Sequence, residues 1–256
     1  MMQVEENNMD KNVQAWSEYA DEYNANTLFS SEVVHTGLGL AGVSPSFIVK
    51  TSGSILDIGC GNGINTFLLA KQTSGSVVGV DPVSSQICSA TERFKRSNLS
   101  FMCCEFQDLL NHITDHYDLI TFFGSIDYIP IDEFFFTTID RITHSGSRCF
   151  LSKFHSFWTT LYGNDVKEEL DNSYFENGRR DIVGFGQSEF IRYHYTLSDF
   201  IMRFAKHGWI LREFMEPKPE LKNSAFGYKN YEQDPILQHR LSKIPMTAVF
   251  EYVKEI

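Results

Sequence analysis

Three glycines at alternate positions, Gly59, Gly61 and Gly63, follow directly on the apolar run Ile55-Leu56-Asp57-Ile58, and a helical pattern opens at Ile64. A strand that breaks into glycines and then enters a helix is a nucleotide-binding device. The absent side chains let the backbone approach the ligand, and the first helical N–H groups point at it. The spacing discriminates between nucleotides. A dinucleotide loop of the form G-x-G-x-x-G needs its third glycine at position 64, which is Ile, whereas glycine returns at position 63. One acid, Asp57, stands two residues before the first glycine. A second, Asp81, closes the next apolar run, Val78-Gly79-Val80, and is followed by Pro82. A carboxylate about 20 residues beyond a glycine loop can accept hydrogen bonds from both hydroxyls of a ribose.

Two further segments continue the series: Cys104-Glu105-Phe106-Gln107-Asp108-Leu109, and Tyr117-Asp118-Leu119-Ile120-Thr121-Phe122-Phe123-Gly124. The four together, in this order, resemble the motifs of the class I S-adenosylmethionine-dependent methyltransferases, in their small-molecule (methyltransferase-domain 11/25-like) branch. The resemblance implies S-adenosyl-L-methionine as cofactor, S-adenosyl-L-homocysteine as product, and a set of cofactor-binding residues. Asp57, Gly59, Cys60 and Gly61 would form the loop, with Asp81 and Pro82 at the ribose. Glu105, with Asp108 as the alternative, and Phe106 would meet the adenine, and Phe123 and Gly124 would border the transferred methyl group. Trp16-x-x-Tyr19-Ala20-x-x-Tyr23 resembles the aromatic opening of many small-molecule methyltransferases, in which tyrosines cover the methionine part of the cofactor; this implies Tyr19 and Tyr23. The alternative for the same stripe is a helix that packs its aromatics on the core.

Methyl transfer is an in-line displacement from a sulfonium with a good leaving group. Proximity supplies much of the acceleration, and a base is needed only where the acceptor must lose a proton. Candidates for that catalytic role are His155, just beyond the fifth expected strand, and His194 and Tyr193, just before a late helix. Asp171-Asn172 resembles the ligand pair of metal-dependent catechol-type methyltransferases, but it falls inside an insertion instead of at a strand end, and no metal is expected.

These residues need a scaffold. From Gly53 short apolar runs alternate with longer amphipathic segments, the pattern of a parallel sheet wound with crossover helices. Strands are expected at 54–58, 76–80, 99–103, 117–123, 147–153, 209–216 and 246–253, and helices at 10–23, 63–72, 83–97, 131–143 and 197–207. The expected fold is α/β: a doubly wound Rossmann-like seven-stranded sheet, mostly parallel, with the antiparallel terminal hairpin that the family resemblance implies. Residues 1–44 form an N-terminal helical cap, frayed over the first ten or so residues. Residues 45–256 form the cofactor-binding domain, with a substrate-lid insertion at about 155–195 where all pattern is lost. That insertion holds Phe154, Phe157, Trp158, Tyr162, Tyr174 and Phe175, which either embrace a planar acceptor or fill the insertion's own core; Arg179, Arg180 and Arg192 can meet an acceptor carboxylate or phosphate. A second irregular stretch, 218–245, contains Pro219, Pro235 and Pro245.

Composition narrows the partners. A net charge of -11 over 256 residues works against nucleic-acid and anionic membrane surfaces. No run approaches the roughly 18 apolar residues of a membrane helix. The sequence N-P-P-Y or D-P-P-Y of amino-methylating nucleic-acid enzymes is absent after Phe123, where Gly124-Ser125-Ile126-Asp127-Tyr128 stands instead. Five cysteines without C-x-x-C spacing point to a reducing, cytoplasmic setting. The expected partner is a small-molecule methyl acceptor, with the protein a monomer or homodimer. A protein or RNA acceptor, or a catalytically silent cofactor-binding protein, is the alternative.

Overall fold

A computed structural model describes residues 2–27, 29, 31–37, 42–161, 172–183, 188–219, 239 and 243–255, with the backbone alone for residues 2–10, 26 and 161. In chain order the elements are α1 (Met2–Asn26), α2 (Pro45–Ile48), β1 (Ile55–Ile58), α3 (Ile64–Ala70), β2 (Val77–Asp81), α4 (Ser84–Arg93) and β3 (Leu99–Cys103). There follow α5 (Leu109–His112), β4 (Tyr117–Phe123), α6 (Glu133–Arg141), β5 (Thr143–Phe154), α7 (Trp158–Leu161), β6 (Gly178–Val183), β7 (Glu189–His194), α8 (Leu197–Lys206), β8 (Trp209–Met215) and β9 (Thr247–Lys254). Short 3-10 turns occupy Phe106–Asp108 and Ile126–Tyr128.

Seven strands form one sheet in the order β3-β2-β1-β4-β5-β9-β8. The first five run parallel, and β9 runs antiparallel to both β5 and β8. This is the Rossmann-like fold expected, with its antiparallel terminal pair. Strands β1, β2, β4 and β9 are buried along most of their length, so they read as near-continuous apolar runs. Leu56 and Ile58 face a cluster built from Phe135, Phe136, Phe200, Phe204 and Trp209 on the α6 and α8 side. Ile55 faces the opposite cluster of Ile48, Leu68, Leu69 and Phe94. Helix α8 begins where Thr196 accepts a 3.0 Å bond from the Asp199 N–H, a side-chain cap.

Two regions differ from the sequence expectation. Helix α1 spans 25 residues, longer at both ends than 10–23. No glycine or proline interrupts it, and its C-terminal turn is tied down by Asn62, whose Nδ2 donates to Asn24 Oδ1 (3.0 Å) and to Thr27 Oγ1 (2.9 Å). The insertion is not patternless: β6 and β7 form an antiparallel hairpin with Arg179 opposite Tyr193 and Arg180 opposite Arg192. Its first strand, Gly-Arg-Arg-Asp-Ile-Val, carries charge where a half-buried strand would alternate apolar residues, which hid it. The hairpin lies on α1: Asn12 donates to the Ile191 carbonyl (3.0 Å) and accepts from the Ile191 N–H (2.8 Å). Tyr162, Asp171 and most of 218–245 lie outside the described residues. Among the described residues no helix is long and apolar enough to cross a membrane.

Candidate functional site

The sheet order places the strand ends at β3, β2, β1 and β4 side by side, so Glu105, Asp81, the glycine turn and Phe123 follow one another along a single edge. That edge is the carboxyl end of a parallel sheet at the point where the strand order reverses, the usual ligand position in an open α/β fold.

The glycine turn is fixed from below. The N–H groups of Gly59 and Cys60 donate to the Val80 carbonyl at 2.8 and 2.9 Å, holding the turn against β2. All three glycines have positive φ, at 75°, 52° and 80°. A Cβ at Gly59 would stand 2.2 Å from that of Ser125, and at Gly63 it would stand 2.7 Å from Ala90 and the Phe101 ring. At Gly61 the nearest neighbour is Tyr23, at 3.8 Å, so this glycine leaves open backbone beneath an aromatic ring.

Asp57 lies under the turn, fully buried, with Thr66 donating at 2.6 Å and Thr121 at 2.8 Å. Burial pushes its carboxyl up to about 6, against the pull of the two hydroxyls. Its bonds link β1 to α3 and β4, so it shapes the loop from beneath. Asp81 is 9% exposed and accepts from the Gly61 N–H and the Val83 N–H, both at 2.9 Å, one on each oxygen. Burial raises this carboxyl too, to about 6, with the two N–H bonds opposing. Each oxygen retains a second acceptor site for a hydroxyl donor. Pro82 follows at the bend after β2.

Glu105 is half-buried just before the 3-10 turn. The Phe106 ring belongs to the core, stacked on Phe135 at 5.5 Å between centroids. Asp108 is exposed and accepts a 3.3 Å bond from Asn111. Gly124 has φ of 77° and nothing within 4 Å of where a Cβ would stand, so the end of β4 is open there. Tyr23 is covered enough that burial raises its hydroxyl, with Asp81 and Cys60 adding to the effect. Burial also raises Tyr19, beside Glu22. Trp16 meets Tyr23 at 5.9 Å, Tyr128 at 5.6 Å and Phe190 at 5.4 Å, which joins α1, the turn after β4 and β7 in one aromatic roof.

A cleft of about 390 Å³, measured out to open solvent, opens beside Tyr23, the one ring of this cluster that lines it. Tyr23, Thr27, His35, Asp57, Gly59, Cys60, Asn62, Ile64, Asn65 and Phe123 line it. Asn62 and His35 were not singled out from the sequence. Asn62 sits between two glycines of the turn, whereas His35 lies in a stretch without period and left no signal.

Of the three candidate catalytic residues, His155 follows β5, whereas His194 and Tyr193 lie in the β6–β7 hairpin, outside the seven-stranded sheet. His155 Nε2 meets Glu216 Oε1 at 2.7 Å and its Nδ1 accepts from the Phe157 N–H at 3.2 Å. Burial lowers its pKa despite Glu216. His194 Nε2 donates to the Tyr174 carbonyl at 2.9 Å, and Nδ1 shares a 2.8 Å bond with Thr159. Burial holds this imidazole down at about 4, hence neutral. His155 thus ties the start of the insertion to the segment after β8, and His194 ties parts of the insertion to one another, each with both nitrogens engaged. Tyr193 is half-buried and packs beside the main core cluster.

The family model described as a methyltransferase domain matches residues 50–185. A curated relative, the ribosomal protein L11 methyltransferase of Thermosipho melanesiensis, is 31% identical over 87 residues, 34% of this chain and 33% of that protein. The chain spans a little over a third of the length, at most, of the curated relatives it matches. The solved S-adenosylmethionine-dependent methyltransferase of Mesorhizobium loti superposes with a TM-score of 0.63 at 16% identity, over 80% of this chain and 92% of that one. The 1,6-didemethyltoxoflavin-N1-methyltransferase of Burkholderia thailandensis, solved with bound 1,6-didemethyltoxoflavin and S-adenosylhomocysteine, gives a TM-score of 0.57 at 13% identity, over 95% of this chain and 88% of that one. The glycine turn, the acid after β2 and the strand order therefore meet in one assignment: the chain belongs to the methyltransferase-domain family.

Proposed function

We propose that this methyltransferase acts on a small-molecule acceptor held under the aromatic roof beside Phe123 and Gly124. The observation that carries the reading is the closure of that roof. Helix α1 and the β6–β7 hairpin are joined by the paired Asn12–Ile191 bonds and by the Trp16, Tyr128 and Phe190 rings, over the end of β4. A strand end covered by packed aromatic rings suits a compact acceptor better than a folded protein surface. In this reading Asp81 accepts from the ribose hydroxyls, Glu105 meets the adenine, and Gly59, Cys60 and Gly61 lie along the donor. Tyr19 and Tyr23 cover its methionyl part. The residues fit such a donor: the Gly61 backbone is open beneath Tyr23, and Asp81 retains acceptor capacity.

The bound donor supplies an activated methyl group on sulfur. What the chain contributes is alignment and the exclusion of water. His155 and His194 act as supports of the insertion in this reading, so proton removal, where the acceptor requires it, falls to solvent or to the acceptor itself. A second reading, a protein acceptor, is favoured by the curated relatives, which are named for a ribosomal protein. Incubation with methyl-labelled S-adenosylmethionine and a cell extract, followed by ultrafiltration, separates the two. Label in a filtrate compound resolved by chromatography from S-adenosylmethionine and its breakdown products, and absent without the enzyme, supports the first reading, and label retained on a discrete protein supports the second.

A further inference from the structure

The β6–β7 hairpin is a two-stranded sheet, so β7 has an outer edge whose N–H and C=O groups need partners away from β6. Ile191 on that edge is buried, and an unmade hydrogen bond there would be costly. Asn12 of α1 supplies both bonds: its Nδ2 donates to the Ile191 carbonyl at 3.0 Å and its Oδ1 accepts from the Ile191 N–H at 2.8 Å. A carboxamide carries a donor and an acceptor side by side, so it stands in for one residue of a neighbouring strand. Asn12 is itself only 6% exposed. Beside it, Lys11 and Glu189 form a 3.5 Å ion pair between side chains that are 44% and 74% exposed, which water screens. The buried carboxamide is therefore the firm part of this joint.

The helix carries the joint toward the glycine turn. Asn12, Trp16, Tyr19 and Tyr23 recur at three- and four-residue spacing and lie along one face of α1. Trp16 packs on Phe190, next to Ile191, and on Tyr23. Tyr23 stands over Gly61, and one residue on, Asn24 accepts from the Asn62 carboxamide of the turn. Asn12 and Asn24 lie about 18 Å apart along a continuous helix. At its other side the hairpin rests on the turn after β4: Arg192 Nε and Nη2 donate to the Tyr128 hydroxyl at 3.3 and 3.2 Å, and Phe190 packs on the Tyr128 ring. Helix α1 thus touches the donor half near its C-terminus and the acceptor half near Asn12.

We infer that Asn12 is a positioning residue that transmits donor binding at the glycine turn to the hairpin over the acceptor space. A donor held beneath Tyr23 favours the seated position of α1 and, through Asn12, the seated position of β7. This rests on the donor placement of the proposed function. The linkage is reciprocal: breaking the joint weakens the donor by the factor by which the donor no longer steadies the hairpin.

The experiment is amide exchange read by NMR in the full chain, with and without saturating S-adenosylhomocysteine, for wild type, Asn12→Ala, Asn12→Asp and Lys11→Ala. In wild type the ligand slows exchange at Phe190, Ile191 and Arg192, none of which belongs to the proposed donor set, by about tenfold. In Asn12→Ala that ratio falls to within about twofold, slowing at Tyr23 persists, and the calorimetric affinity for the ligand drops by the factor lost. A role confined to stability would speed exchange equally with and without the ligand and leave the ratio intact. Asn12→Asp keeps an acceptor for the Ile191 N–H and loses the donor to its carbonyl; it lowers the ratio in the same direction and serves where Asn12→Ala does not fold. Lys11→Ala keeps the wild-type ratio. Wild type that binds the ligand without slowing at β7, or a ratio preserved in the Asn12 variants, overturns the inference. A ratio lost in Lys11→Ala overturns it as well, by moving the joint to the surface ion pair. Failure of wild type to bind the ligand at all strikes the proposed donor site, and this inference with it.

Discussion

The contact between Gly59 and Ser125 makes a quantitative prediction about why the glycine turn has the sequence it has. In Gly59→Ala two costs add. Residue 59 has φ of 75°, and an L-residue there costs about 1–2 kcal/mol. The new methyl would also stand 2.2 Å from Ser125 Cβ and 2.7 Å from Ser125 Oγ, an overlap that must be relieved by moving either chain, at about 1–3 kcal/mol. The total is about 2–5 kcal/mol. Gly124→Ala is the internal control, because it has nearly the same φ, 77°, and nothing within 4 Å of the added methyl. It should cost only the conformational part, about 1–2 kcal/mol. Ser125→Gly removes the obstructing Cβ while losing the hydroxyl bond to the Ile58 carbonyl, at about 1 kcal/mol. In Gly59→Ala/Ser125→Gly the clash disappears, so the pair should couple by about 1–3 kcal/mol in the favourable direction. Urea unfolding of wild type, the three single variants and the double variant measures every term. Equal costs for Gly59→Ala and Gly124→Ala, or strictly additive effects in the double variant, would refute the reasoning.

Three further outcomes are expected. Asp57 has a carboxyl raised in the folded state, so it contributes stability that is complete below the unfolded pKa and lost as pH climbs through about 6. Wild type should therefore lose up to about 3 kcal/mol relative to Asp57→Asn between pH about 4 and about 7.5, read from urea midpoints; a difference independent of pH contradicts this. Asn62→Ala removes the two bonds that tie the end of α1 to the turn and should lower stability by about 1–3 kcal/mol, with faster amide exchange in α1. Exchange unchanged in α1 would disconnect the two elements. Asp81→Ala should weaken S-adenosylhomocysteine by about tenfold or more in calorimetry, while Asp108→Ala, at an exposed side chain, should leave it within about twofold.

The sheet and the glycine turn were legible because both are written in local pattern. Strands buried on both faces appear as short apolar runs, and Gly59, Gly61 and Gly63 mark a turn that only glycine fills. Asp81 is legible for the same reason, as the acid that closes the second such run. Asp57 was legible as a position and not as a role, since its two partners, Thr66 and Thr121, come from different elements. The hairpin β6–β7 was missed because Arg179, Arg180 and Asp181 give β6 a polar character, with burial coming from α1 and from β7's own apolar residues. The histidines show the limit most clearly. Their places beside expected elements singled out His155 and His194 and gave no sign of His35, and only the fold reveals that the first two engage their rings within and beside the insertion while the third lines the cleft.

The claim that the glycine turn holds a methyl donor is tested most directly by equilibrium titration of the wild-type chain with S-adenosylmethionine, S-adenosylhomocysteine and NAD under identical conditions. The structure predicts one-to-one binding of the first two and none of NAD, since Ile64 stands where a dinucleotide loop needs its third glycine. Binding of NAD with neither methyl-donor ligand bound would contradict it.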